Sequence, residues 1–147
     1  MIIQMILTYF KYNCMGLNAL ANSGWLVMAV SAVFGWMPIY TLKVRGCVPE
    51  GKSYMKTTKL ADNGIYSVVR HPKYLAGVLI SLSLVLVSQY WINVLLFLPV
   101  LVGTYIDSRR ADMRLVEKFG EDYTRYMERV PALDPITGFL RHLRRRG

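Results

Sequence analysis

The chain has 147 residues, enough for one domain, and 54% of them are apolar, giving a mean hydropathy of +0.30. Two cysteines and two histidines, with no Cys-x-x-Cys spacing, are too few for a disulfide framework and argue against a zinc site. The formal charge of +9 would ordinarily raise nucleic acid as a partner, but residues 12 to 42 and 74 to 106 contain no Asp, Glu, Lys or Arg. Soluble cores do not have charge-free runs of that length, so these are read as membrane segments. The net charge divides as +1 before residue 43, +5 over residues 43 to 73 and +3 from residue 107 onward. Basic blocks beside membrane segments act on orientation and attract anionic lipid, and no nucleic-acid partner is expected. The sequence has no P-loop, no dinucleotide fingerprint and no internal repeat.

In chain order, residues 1 to about 17 are apolar apart from Gln4, Lys11 and Asn13 and predict a short, imperfect first helix. This start has neither a leading basic residue nor a small-residue cleavage site, so it is not read as a signal peptide. Asn18, Asn22, Ser23 and Gly24 punctuate the chain, and Trp25 to Leu42 predict a spanning helix with Trp25, Trp36 and Tyr40 as interfacial anchors. Ala29, Ala32 and Gly35 would admit a close helical neighbour, and Pro38 would kink the helix end. The segment from 43 to 73 has seven basic residues against Glu50 and Asp62 and is placed in the cytoplasm, with turns at Pro49, Gly51 and Gly64.

Pro72 suits the first turn of the next helix, because its φ is fixed and its missing N–H is not needed there. As one helix, residues 74 to 106 would run about 50 Å, against a hydrocarbon core of ~30 Å. A single crossing would also put the two basic blocks on opposite sides of the membrane. A helical hairpin is therefore predicted, turning near Ser88-Gln89-Tyr90-Trp91, disturbed at Pro99, and extended by a turn at Pro72-Lys73 and at Asp107-Ser108. From Arg109 to Val130, Leu115, Phe119, Tyr123, Met127 and Val130 fall on one helical face. This predicts an amphipathic helix on the membrane surface, broken at Gly120, with Glu121 and Asp122 favouring the start of its second piece. The basic tail from Arg141 reads as an anionic-lipid contact or a disordered end.

The expected architecture is a single all-α domain, a polytopic membrane helix bundle of three to four transmembrane helices including a hairpin, plus a C-terminal amphipathic helix. Its parts are N-terminal helices (1–42), a cytoplasmic loop (43–73), the hairpin (74–106) and a cytoplasmic C-terminal segment (107–147). Arg70, His71 and Lys73 stand where the loop meets the second apolar run. Such a position suits a site holding a charged cofactor beside an apolar substrate, and equally a positive-inside flank.

The ordered set Gly64-Ile65-Tyr66, Arg70-His71-Pro72-x-Tyr74-x-x-Gly77, apolar hairpin, and Leu115-x-x-x-Phe119-Gly120-x-x-Tyr123-x-x-Tyr126 before Val130-Pro131 resembles the isoprenylcysteine carboxyl methyltransferase and phospholipid methyltransferase superfamily. The resemblance implies a helical membrane methyltransferase that binds S-adenosylmethionine at the cytoplasmic face and methylates a carboxylate or amine on a lipophilic or lipid-linked substrate. It assigns the cofactor site to Gly64, Tyr66, Arg70, His71, Pro72, Tyr74, Gly77 and Asp112. Arg70 and His71 are the residues closest to the chemistry, as donors to anionic oxygen, His71 being also the group that titrates near neutrality. Tyr66 and Tyr74 would pack on the adenine or serve as interface anchors, and Gly64 and Gly77 would permit close backbone approach, Gly77 equally as a helix-packing contact. Where the superfamily carries adjacent acidic residues, this chain has Ala111 and Asp112, with Asp107 one turn earlier as a possible compensation. Two other functions stay open on the sequence: an NADPH-dependent enone or sterol-type reductase, and a non-catalytic scaffold that has lost the cofactor site.

Overall fold

The computed structural model describes residues 1–45 and 64–144. The expected turns at Pro49 and Gly51, three of the seven basic residues of the 43–73 loop (Lys52, Lys56 and Lys59), and Arg145-Arg146 lie outside the described residues. The described residues form helices α1 (Ile2–Phe10), α2 (Asn18–Arg45), α3 (Pro72–Ser88), α4 (Trp91–Phe119), α5 (Glu121–Arg129) and α6 (Pro135–Arg144), with a 3-10 turn at Gly64–Ser67 and no strand among them. The fold is all-α, and α2 and α4 are long and apolar enough to cross a membrane. Contacts divide the chain into two compact units: Met1–Val33 with Tyr74–Asp107, and Phe34–Lys73 with Ser108–Gly147.

The first unit has the inverted polarity that a hydrocarbon solvent favours. On α1, Ile2, Ile3, Met5, Ile6, Tyr9 and Phe10 are exposed, whereas Gln4 and Thr8 are buried. Buried polar groups in apolar surroundings need partners, and here they find one another. Ser81 Oγ donates to Gln4 Oε1 at 2.8 Å, Gln4 Nε2 to the Asn93 carbonyl at 3.2 Å, and Asn93 Nδ2 to Thr8 Oγ1 at 3.0 Å and Ser88 Oγ at 2.8 Å. Gln4, an interruption in the sequence pattern, thus joins α1 to α3 and α4. The α3–α4 hairpin turns at Gln89-Tyr90, as expected, with Gln89 at φ +53°. The carbonyls of Val87 and Ser88 at the end of α3 accept the N–H groups of Asn13 and Cys14, both at 3.0 Å, and so are satisfied rather than left bare.

Helix α2 starts at Asn18, seven residues before the expected Trp25, because Gly24 acts as a packing residue and not as a break. A Cβ there would lie 2.7 Å from Val87 Cγ2 and 3.0 Å from the Val87 nitrogen, so only glycine lets this helix approach α3 so closely. Ala21, Gly24 and Ser31 are the buried small residues of this stretch, while Ala29 and Ala32 are exposed. Ser31 Oγ donates to the Ala76 carbonyl at 2.8 Å. Both internal prolines, Pro38 and Pro99, lie within continuous helices.

In the second unit, α4 continues without a break past the charge-free run to Phe119. No glycine or proline stands between Gly103 and Gly120, so the expected separate helix from Arg109 is the distal part of α4. Gly120 ends it, with φ +58° and ψ −131°, a backbone conformation for which glycine is suited, and Glu121 and Asp122 occupy the first turn of α5. The face foreseen for the membrane surface turns inward: Tyr123, Tyr126 and Val130 are buried, with Leu115, Phe119 and Met127 packed against them. Substituting Gly24→Ala should cost about 1–3 kcal/mol by forcing α2 and α3 apart, and exposed Ala29→Leu should be near neutral. Unfolding in mixed micelles, followed by circular dichroism during titration with dodecyl sulfate, measures both.

Candidate functional site

The second unit assembles a buried ionic cluster at the junction of loop and helix. Pro72 occupies the first position of α3, as expected, and the residues before it are drawn onto the segment after α5: Arg70 N donates to the Pro131 carbonyl at 3.0 Å and His71 N to the Ala132 carbonyl at 3.1 Å. Upstream, the Tyr126 hydroxyl donates to the Tyr66 carbonyl at 2.6 Å, pinning the 3-10 turn to α5. Gly64 begins this turn at φ +63°, where a side chain would be strained, and a Cβ would stand 3.3 Å from the Thr41 side chain.

Asp112, from the distal part of α4, is the centre of the cluster. Its Oδ2 lies 2.9 Å from Arg70 Nη1, and its Oδ1 is 2.7 Å from His71 Nε2 and accepts the Tyr123 hydroxyl at 2.6 Å. The Arg70 and Asp112 side chains are only 8% and 5% exposed, so the pair is a desolvated one and not a surface salt bridge. A carboxylate only accepts, so Nε2 is the nitrogen through which His71 donates. Burial, and then the hydrogen bond to Asp112, raise the Tyr123 phenol above its usual pKa, which keeps it a donor. The Arg70–Asp112 contact is an ion pair by distance and not an aligned hydrogen bond. Arg70 Nε and Nη1 and Asp112 Oδ2 are buried without a hydrogen-bond partner among the described residues.

Of the residues singled out on the sequence, the second unit contains Gly64, Tyr66, Arg70, His71, Pro72 and Asp112, and Arg70, His71 and Asp112 are in direct contact. Tyr74 and Gly77 belong to the first unit. A Cβ on Gly77 would meet nothing within 4 Å, so no close approach requires glycine there. Asp112 faces Arg70, His71 and Tyr123, and Asp107 is exposed. The Asp112 carboxylate thus holds one ion pair, to Arg70, and accepts two hydrogen bonds, from His71 and Tyr123.

A family model, phospholipid methyltransferase, matches residues 20–121. The chain belongs to that family. It therefore falls within the superfamily of isoprenylcysteine carboxyl and phospholipid methyltransferases, whose members are integral membrane proteins, and the family implies methyl transfer to lipid substrates. No curated protein and no solved structure matches the chain. The family match includes Arg70, His71 and Asp112 and ends before Tyr123, Tyr126, Pro131 and Ala132, which hold them. Tyr123 is the residue whose role the sequence pattern misassigned. Its place on an apolar face predicted packing, whereas its hydroxyl points into the ionic cluster; the signal available was a tyrosine, a residue that when buried needs a polar partner.

Removing the anchor should be more damaging than removing one donor. Asp112→Ala leaves a buried guanidinium uncompensated and should cost roughly 3–5 kcal/mol. Tyr123→Phe loses a single hydrogen bond to a charged group, about 1.5–3 kcal/mol. The same micellar unfolding titration, run on both variants, tests that order.

Proposed function

We propose that this member of the phospholipid methyltransferase family transfers a methyl group from S-adenosylmethionine to an amine or carboxylate on a lipophilic or lipid-linked acceptor. The site is the Arg70–His71 segment, and the reaction takes place at the cytoplasmic membrane face. The observation that carries this reading is Arg70, a buried guanidinium whose Nε has no hydrogen-bond acceptor among the described residues. A buried cationic donor of this kind fits an anionic oxygen such as one of the cofactor's carboxylate, to which it would donate a charge-assisted hydrogen bond.

S-adenosylmethionine supplies an already activated methyl group, which leaves the protein mainly to align donor and acceptor and to exclude water. Arg70 would bind and orient. Asp112 and Tyr123 would act as positioning residues, holding Arg70 and His71 from behind, and the Pro131 and Ala132 carbonyls would fix their backbone. His71, whose Nε2 donates to Asp112, would stand beside Arg70 in the binding segment. Gly64, Tyr66 and Pro72 would shape the loop around the ligand. The basic charge on residues 43 to 73 and after 107 favours a cytoplasmic location for both segments.

On this reading S-adenosylhomocysteine raises the unfolding temperature of the solubilised protein and NADPH does not, since a ligand that binds only the native state stabilises it by mass action. Arg70→Ala should weaken that binding by about ten- to a hundredfold, the equivalent of a lost charge-assisted hydrogen bond. Gly24→Ala gives the baseline for a variant weakened in stability alone. A shift with NADPH and none with S-adenosylhomocysteine would contradict the assignment, and so would an unchanged affinity in Arg70→Ala.

A further inference from the structure

Helix α6 lies beyond the family match and carries an apolar face that the other described residues leave uncovered. Ile136, Phe139, Leu140 and Leu143, spaced as i, i+3, i+4 and i+7, are 73%, 54%, 61% and 51% exposed. The helix is anchored by a different side. Gly138 is buried, and a Cβ there would overlap the Val68 carbonyl oxygen and lie 3.1 Å from Pro131 Cγ. Asp134 caps the first turn, accepting Ile136 N at 3.0 Å, Thr137 N at 3.1 Å and the Thr137 hydroxyl, and these hydrogen bonds, the hydroxyl's foremost, hold its carboxyl below the usual range. The packing side and the apolar face are thus distinct, and the second has no partner among the described residues.

Two further observations identify what covers it. Arg144 borders the apolar face and Arg141 lies further round the helix, both exposed, while the acid on this element, Asp134, is engaged at its far end. Ile136, Phe139 and Leu140 also form one wall of an open, wholly apolar groove of about 430 Å³, whose other wall is Phe34, Ile65 and Val68. An apolar stripe with a basic border, continuous with a hydrocarbon-lined groove, is complementary to an anionic bilayer surface: acyl chains against the stripe, headgroups at the guanidinium groups. A second copy of the chain would bring a surface of the same net positive charge against this one.

We infer that α6 is an in-plane membrane helix that docks on anionic phospholipid, with an acyl chain in the groove between α6 and the 3-10 turn. Because Gly138 backs directly onto Val68, the helix that meets the lipid also braces the loop carrying Arg70 and His71. The inference concerns α6 itself and does not depend on which acceptor is methylated.

The test uses the full chain with Cys14→Ser and Cys47→Ser, carrying a nitroxide attached through Leu143→Cys, in nanodiscs of phosphatidylcholine alone or mixed equally with phosphatidylglycerol. The label should be reached by oxygen in preference to a water-soluble nickel chelate, and should shift deeper when phosphatidylglycerol is present. Arg141→Gln with Arg144→Gln should abolish the difference between the two lipids. A label open to the nickel chelate in the anionic discs overturns the docking, and a depth indifferent to phosphatidylglycerol overturns the anionic preference. Oxidative cross-linking of Leu143→Cys between copies in vesicles would assign the face to a second chain instead.

Discussion

The second unit depends on the ion pair between Arg70 and Asp112. A guanidinium this deeply buried is tolerable only with a carboxylate beside it, because the desolvation cost of a lone buried charge amounts to several kcal/mol. Much of the local architecture serves to bring the two together. Helix α4 extends beyond its apolar run to deliver Asp112, Gly120 reverses the chain so that α5 returns Tyr123 to the same carboxylate, and the Pro131 and Ala132 carbonyls hold the Arg70–His71 backbone. His71 shares the same oxygen as Tyr123, so the imidazole, the phenol and the guanidinium are oriented by one acid.

Membership of the phospholipid methyltransferase family and the inverted polarity of the first unit agree on the solvent. Isoleucines, a tyrosine and a phenylalanine on the outside of α1, with glutamine, threonine, serine and asparagine hydrogen-bonded inside, are a stable arrangement where hydrocarbon surrounds the protein. In water the same surface would be an association site.

Part of this was legible in the sequence because it rests on local chemistry. Two charge-free runs, one too long for a single crossing, imply the hairpin; Gln89-Tyr90 and Pro72 mark its turn and start, and Gly120 marks the end of α4. What the sequence did not disclose depends on long-range partners. Gln4 looked like a blemish in an apolar segment because Ser81 and Asn93, which satisfy it, are more than seventy residues away. Gly24 looked like punctuation because the side chain it makes room for, Val87, is on another helix. Asp112 was identified by its place in a motif, yet the chemistry of its neighbours, a guanidinium, an imidazole and a phenol, appears only when α4 and α5 are set beside the loop. The distal face of α4 and α5 had the right periodicity and the wrong destination: an amphipathic pattern does not say whether its apolar side meets lipid or protein.

The central claim, that the Arg70–His71 segment and its supports bind the methyl donor, is tested most directly by photolabelling. S-adenosylmethionine carrying a radioactive methyl group is irradiated with the lipid-embedded protein, and the labelled peptides are mapped with and without excess S-adenosylhomocysteine. Label that S-adenosylhomocysteine displaces should fall on residues 64–73 or 121–133. Displaceable label confined to residues 1–33 or 78–106, with none on those two segments, would contradict the account.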